Sequence, residues 1–186
     1  MNKSLLFYPR SVICSAWFRL NGFQSSLVGC DGRLPVVDGS GTIRIGKRFV
    51  VRGRVAAAEI AARKTGRIEI GDRTFLNQGA VIAAEGLVKI GDDCQIGDFT
   101  AIYDSNYHRL EPDLPDEPRP VTIGNNVWLG RNVVVLPGSE IGDHTVVAAQ
   151  SVVRGSLPDR VLAAGNPAKV IRKLENIPDG WRRGNG

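Results

Sequence analysis

Large aliphatic residues recur at every sixth position in the second half of the chain: Ile123, Leu129, Val135, Ile141, Val147 and Val153 stand in one unbroken register. Four places after each of the first five comes a small or β-branched residue, Val127, Val133, Ser139, Thr145 and Ser151, and Gly124, Gly130 and Gly142 directly follow three of the aliphatics. A helix would scatter a period of six around its axis, and one long strand would show a period of two. The pattern predicts a solenoid of short strands with a corner in every repeat, each side turning one aliphatic inward. Three sides close a coil of about 18 residues, and coils stack at about 4.8 Å, as neighbouring strands do, in a parallel β-helix. Glycine after the aliphatic is expected to supply backbone angles that other residues adopt only at a cost.

The register continues upstream with interruptions. Ile70, Leu76 and Ile82 form one set, with Thr74 and Ala80 in the small positions, and Ile90, Ile96 and Ile102 form the next, with Cys94 and Thr100. Extra residues near Glu85-Gly86 lengthen one step. The step from Ile102 to Ile123 is longer still and predicts a loop pushed out of the coil over 103–120, where Pro112, Pro115, Pro118 and Pro120 sit among acidic residues. That loop contains His108. Residues 1–42 read as an N-terminal cap and connector: Val12, Ile13, Ala16, Trp17, Leu20 and Phe23 have near-helical spacing, predicting a short amphipathic helix over the open end of the solenoid. The alternative is a basic, tryptophan-bearing element in peripheral contact with a membrane. Gly29 to Gly41 reads as a turn-rich connector, and Ile43 to Gly46 with Val51 as the start of an irregular first coil. The β-helix is expected over 43–164 and a C-terminal extension over 165–186, its tail loose and anchored only by Trp181.

Composition narrows this picture. At 186 residues the chain fits one domain, and few aromatics beside 22 glycines suit a narrow, turn-rich prism. The net charge of +5 is concentrated in Arg44, Lys47, Arg48, Arg52 and Arg54 and again in Arg154, Lys169, Arg172, Lys173, Arg182 and Arg183. Such clusters meet phosphates, anionic lipid or nucleic acid, and the lack of interleaved aromatics argues against nucleic acid. Cys14, Cys30 and Cys94 are odd in number and lack Cys-x-x-Cys spacing, so neither a disulfide framework nor a zinc motif is expected. No apolar run is long enough to span a bilayer, and the apolar start is cut short at Pro9-Arg10. The expectation is a cytoplasmic protein with reduced thiols.

The segment from Val121 to Lys173 carries a resemblance. Its Ile-Gly-Asn-Asn-Val-Trp-Leu-Gly opening, Pro-Gly-Ser-Glu-Ile-Gly-Asp centre and Ala-Ala-Gly-Asn-Pro-Ala-Lys-Val-Ile close resemble the hexapeptide-repeat O-acetyltransferases of the maltose and galactoside acetyltransferase group. The likeness covers about residues 68 to 173. Within the group it looks most like the surface-polysaccharide and lipopolysaccharide O-acetyltransferases, which often have an acidic residue and an aromatic shortly before the loop histidine, as Asp104 and Tyr107 stand here. The resemblance implies a left-handed coil, an exception to the right-handed rule for parallel crossovers. It also implies a homotrimer with sites between neighbouring prisms, acetyl-coenzyme A as cosubstrate, a saccharide acceptor and no metal. It places the loop histidine at His108, a coil asparagine at Asn77 and an acidic acceptor-binding residue at Glu85, with Tyr107 beside the acceptor. Its coenzyme positions fall on Trp128, Gly130, Arg131, Ala149, Arg154, Lys169 and Arg172. The chain departs from the group at Arg154-Gly155, where threonine-lysine is usual, at Lys169, where arginine is common, and in lacking the N-terminal helical segment that helps form the acceptor pocket.

These residue types suit the chemistry. A sugar hydroxyl is a poor nucleophile at neutral pH, so a neutral imidazole must take its proton as it attacks the thioester carbonyl. His108 is the expected general base, with Asp104 or a backbone carbonyl holding its second nitrogen. Asn77 holds the acceptor hydroxyl, and backbone N–H groups near Gly130-Arg131 meet the developing oxyanion. No acyl-enzyme is needed. His144 reads as an exposed turn residue, and Lys169, Arg172 and Arg154 as contacts to coenzyme phosphates. Alternatives are N-acetyl transfer to an amino sugar and a non-catalytic scaffold binding polyanions through its basic ends. A γ-class carbonic anhydrase would need three histidines for its zinc, and this chain has two.

Overall fold

Three ladders of side chains fill the interior of a left-handed parallel β-helix. The computed structural model describes residues 12–19, 24–25, 28–109, 111–113, 117–178 and 180–183. On the first face Ile45, Ile70, Ile90, Ile123, Ile141 and Leu157 stack in register. On the second the column is Cys30, Val51, Leu76, Ile96, Leu129, Val147 and Ala163. On the third it is Val37, Ile60, Ile82, Ile102, Val135 and Val153. The six-residue register is therefore the inward register: Leu76, Leu129, Val135, Val147 and Val153 have no exposed surface. Each fully buried aliphatic contributes about 1.5–3 kcal/mol. Among the described residues the faces hold seven, eight and six strands, and only the final pair is antiparallel.

The first corner, between the first and second faces, is built from stacked carboxylates and amides. Asp72, Asp92, Asn125, Asp143 and Asp159 each lean onto the coil beneath. Their Oδ1 atoms accept the N–H groups of Lys47, Asp72, Asp92, Asn125 and Asp143 at 2.7, 2.8, 2.9, 2.6 and 2.8 Å. This ladder corrects the expected role of the corner glycines. Gly124 and Gly142 do not have positive φ; a Cβ on either would collide with the Asp143 or Asp159 carboxylate of the next coil. The left-handed angles fall two residues later, on Arg48, Arg73, Asp93, Asn126, His144 and Arg160, with φ between 54° and 61°. In five of these the cost is offset by a hydrogen bond from the residue's own N–H to the coil beneath, as in Arg73 to Lys47 O (2.7 Å) and His144 to Asn125 O (2.8 Å).

The coil begins earlier than residue 43. Strands Gln24–Ser25, Gly29–Gly32 and Val36–Asp38 pair in parallel with Thr42–Ile45, Val50–Gly53 and Glu59–Ala62, so the stretch read as a connector is itself a coil. Gly29, Gly32 and Pro35 hide its period. The N-terminal helix, residues 12–19, caps this end, but on a different face from the one expected. Cys14, Ser15 and Phe18 are buried while Val12, Ile13 and Ala16 are exposed. Phe18 meets Phe49 edge-on at 6.5 Å, and Ser15 Oγ accepts Val28 N at 2.9 Å. Leu20 and Phe23 lie outside the described residues.

At the other end, Val161–Gly165 adds the last strand of the second face and Ala168–Lys173 folds back on it. The chain then runs down the first corner and is held there as far as Arg183, contrary to the loose tail expected; residues 184–186 lie outside the described residues. Asn126 Oδ1 accepts Arg183 N (2.8 Å), His144 O accepts Arg183 Nη2 (2.8 Å), and Arg182 pairs with Asp93 at 3.5 Å. Trp181 is still 41% exposed, so Arg183 is the stronger anchor.

Candidate active site

The third corner, between the third and first faces, is where the coil opens. After Ala101–Tyr103 the chain leaves the prism and returns at Val121–Ile123, giving the extruded loop. Asp104 continues the inward register of Ile102 and is fully buried. Its Oδ1 accepts the N–H of Glu85 at 2.9 Å and its Oδ2 the N–H of Gly86 at 2.8 Å, while its carbonyl accepts Arg119 N at 2.7 Å, closing the loop's base. Both carboxylate oxygens are thus committed to the Glu85-Gly86 turn beneath. This corrects the expectation that Asp104 orients His108: the inward register takes its side chain into the prism wall.

His108 is exposed and makes no hydrogen bond to a described residue. The residue before it, Tyr107, has φ 61°, a conformation that costs a bulky side chain of order 1–3 kcal/mol and persists only where its surroundings enforce it. The Arg63 guanidinium lies 5.2 Å from the Tyr107 ring centroid, and Tyr103 meets the ring edge-on at 6.1 Å. Burial pushes the Tyr107 phenol up to about 12, with the Asp104 carboxylate adding to the shift. Its hydroxyl is buried and has no hydrogen-bond partner among the described residues. A pocket of about 540 Å³ lies here, lined by Arg63, Val81, Tyr103, Tyr107, Val134 and Leu136 among others.

Glu85 is 8% exposed and already paired within the chain: Lys64 Nζ lies 2.8 Å from its Oε1, and Ser105 Oγ donates to its Oε2 at 3.3 Å. Sequence reasoning missed Lys64 and Ser105. They stand 21 and 20 residues either side of Glu85, roughly one lengthened coil each way. Only aligning the irregular corners would have brought them together.

The remaining positions lie elsewhere on the prism. Asn77 sits at the second corner, between the second and third faces, its Oδ1 accepting Gln78 N at 2.9 Å. Gly97 and Gly130 stack above it, each too close to the coil above to carry a Cβ. Gly130 N–H is spent on Val147 O at 2.8 Å, which removes it as an oxyanion donor. Arg131 and Ala149 are exposed on this same corner, Arg131 lying 5.4 Å over the Phe99 ring. Trp128, 48% exposed, points outward from the second face below the hairpin that carries Lys169 and Arg172. Arg154 is at the third corner with the loop. A single chain therefore does not gather the predicted residues. It holds His108, Glu85, Tyr107 and Arg154 at one corner and Asn77, Gly130, Arg131 and Ala149 at another. His144 is part of the tail anchor, its Nδ1 2.8 Å from Asn126 Nδ2. Among the described residues no group of three His, Cys, Asp or Glu is placed to hold a metal, and no helix is long and apolar enough to cross a membrane.

Residues 120–155 match the bacterial transferase hexapeptide (six repeats) family. The chain is 36% identical over 155 residues to the putative lipopolysaccharide biosynthesis O-acetyl transferase WbbJ of Escherichia coli K12, covering 77% of this chain and 78% of that one. Its fold is similar to the polySia-specific acetyltransferase NeuO (TM-score 0.70, 27% identity, 88% of this chain and 72% of that chain). It is also similar to the hexapeptide-repeat acetyltransferase VCA0836 of Vibrio cholerae O1 biovar eltor complexed with acetyl-coenzyme A (TM-score 0.60, 28% identity, 87% and 76%). A six-residue inward register, a left-handed prism with one ejected loop, and a relative matched over more than three quarters of both chains agree: this chain belongs to the hexapeptide-repeat acetyltransferases and is an acyltransferase.

Proposed function

We propose that the protein transfers an acetyl group from acetyl-coenzyme A to a hydroxyl of a saccharide, a surface polysaccharide or its precursor, with His108 as general base. The observation that carries this reading is the placement of His108: exposed, unpartnered among the described residues, and presented on a loop whose base is held rigidly. The acceptor oxygen attacks the thioester carbonyl carbon while its proton passes to the imidazole. The C–S bond then breaks, and the imidazolium returns the proton to the departing sulfur. Such a base contributes roughly 10²–10⁴-fold. Asn77 is assigned to the acceptor hydroxyl, and Lys169, Arg172 and Arg154 to coenzyme phosphates. The similarity to WbbJ and NeuO, whose names describe saccharide-directed acetyltransferases, supports the acceptor class, and the coenzyme complex of VCA0836 supports the donor.

Because the two sets of residues occupy different corners of one prism, the reading requires a neighbour. A homotrimer would set the loop corner of one chain against the second corner of the next, giving three equivalent sites. The outward side chains support this: on the third face Val81, Ala101, Val134 and Val152 face out, and on the second Phe75 and Trp128. The N-terminal helix uses Phe18 and part of Trp17 to close the coil, which favours the cap over the membrane reading. A cytoplasmic location follows from the donor.

His108→Ala is expected to lower kcat by roughly 10²–10⁴, about 3–5 kcal/mol of transition-state stabilisation, with coenzyme binding by calorimetry near wild type. His144→Ala should change kcat little. Turnover by His108→Ala within about threefold of wild type would remove the general base.

A further inference from the structure

The position of Glu85 differs from what an acceptor-binding carboxylate needs. It is 8% exposed, both of its oxygens are engaged by the chain itself, and its own N–H is held by Asp104. Three stacked turns of the third corner meet here. Lys64, itself in the left-handed region at φ 53°, reaches up from one coil to Glu85 Oε1 at 2.8 Å. Ser105, at the root of the ejected loop, donates to Glu85 Oε2 at 3.3 Å and accepts the N–H of Tyr107 on the same oxygen at 3.0 Å. That last bond closes a short turn over residues 105–107 and holds Tyr107 in its left-handed conformation. Arg63, the neighbour of Lys64, holds the Tyr107 ring from below. The residue immediately before His108 is thus fixed at its backbone through Ser105 and Glu85, and at its ring through Arg63.

We propose that Lys64, Glu85 and Ser105 form a positioning network for His108, and that Glu85 is used within the chain to aim the histidine and not to bind the acceptor. The proposal rests on His108 being the base. None of the three residues touches the reacting atoms. They set the backbone from which the imidazole is presented, and a misplacement of about 1 Å there costs up to roughly 10²-fold in rate. The hydroxyl of Ser105 is the hinge, since it contacts both the carboxylate and the loop backbone. Lys64 supplies the only ion-pair cation to a nearly buried carboxylate among the described residues, yet its own side chain is 72% exposed, so removing its charge leaves the prism interior untouched.

Lys64→Met, Lys64→Arg and Glu85→Gln test this, with His108→Ala as reference. The chain has two histidines, so the imidazole Cε1–H signals of His108 and His144 can be assigned by comparison with His108→Ala and followed without any reference to activity. The expected result is that Lys64→Met and Glu85→Gln move the His108 signal and leave that of His144 in place. kcat should fall roughly 10-fold or more with the acceptor KM within about twofold, the double variant should fall no further than the worse single one, and Lys64→Arg should restore both signal and rate. A Lys64→Met protein with an unmoved His108 signal overturns the network. So does one with unchanged kcat and an acceptor KM raised about tenfold, which would return Glu85 to the acceptor. Should His108→Ala itself prove active, the base is lost, but the NMR result still reports whether Lys64 and Glu85 position that loop.

Discussion

The first and third faces share one interior and differ outside. Inward, Ile70, Ile90 and Ile123 on the first correspond to Ile82, Ile102 and Val135 on the third, and all are buried. Outward, the first face presents Arg44, Arg67, Lys89, Thr122, Glu140 and Ser156, all exposed, with Arg44 paired to Glu69 at 3.7 Å across the ladder. The third presents Val81, Ala101, Tyr103, Val134 and Val152, all half-buried, in line with Glu59 of the coil below. The inward ladder accounts for the fold, because aliphatic burial is the same on both faces. It does not account for the apolar outward residues of the third face, where the first carries polar side chains; the proposed trimer would cover such a contiguous apolar surface.

Four substitutions break or sharpen this contrast, ranked by their effect on the prism. Ile141→Asp puts an unpaired carboxylate into the interior at a cost of several kcal/mol against a total stability of about 5–15, and no soluble folded protein is expected. A folded variant by circular dichroism would mean that the inward register is misassigned. At the third corner, Asp104→Asn replaces one acceptor by a donor facing the Glu85 or Gly86 N–H, a loss of about 1–3 kcal/mol. For a chain of this length that is a drop in Tm of roughly 2–4 °C per kcal/mol. An unchanged melting curve would show that the carboxylate does not hold the turn. The smallest effect on the prism is expected from Val134→Lys on the third face, within about 0.5 kcal/mol as for an ordinary surface change, yet sedimentation should show the assembly dissociated and activity lost. Thr122→Lys, its counterpart on the first face, should leave mass, Tm and rate alike unchanged. Equal behaviour of the two lysine variants would break the comparison between the faces.

The Asp104 and Glu85 carboxylates mark the boundary of what residue type alone reveals. Both stand where the resemblance puts functional acids, and both prove to be joints of the corner: Asp104 because it follows Ile102 by two and must point inward, Glu85 because Lys64 and Ser105 close over it. The loop limits, and with them the place of His108 outside the coil, were legible, since a break in a strict period and a proline cluster are local signals. So was the shift from one aliphatic column to the next at every corner.

The sequence by itself determined the prism. A period of six needs only the chain's own order, and the hydrophobic effect acts on each inward side chain irrespective of its distant neighbours. It did not determine the coil before residue 43, where glycine and proline break the period while parallel pairing to Val50–Gly53 and Glu59–Ala62 supplies the order. Tertiary structure alone decided which polar groups face each other across stacked coils, from the Asp72 to Asp159 ladder to Arg183 on Asn126 and Lys64 on Glu85. The physical reason is that hydrogen bonds and ion pairs are short-ranged and directional, so they depend on coil lengths that loops and insertions set, whereas burial depends only on which way a residue points.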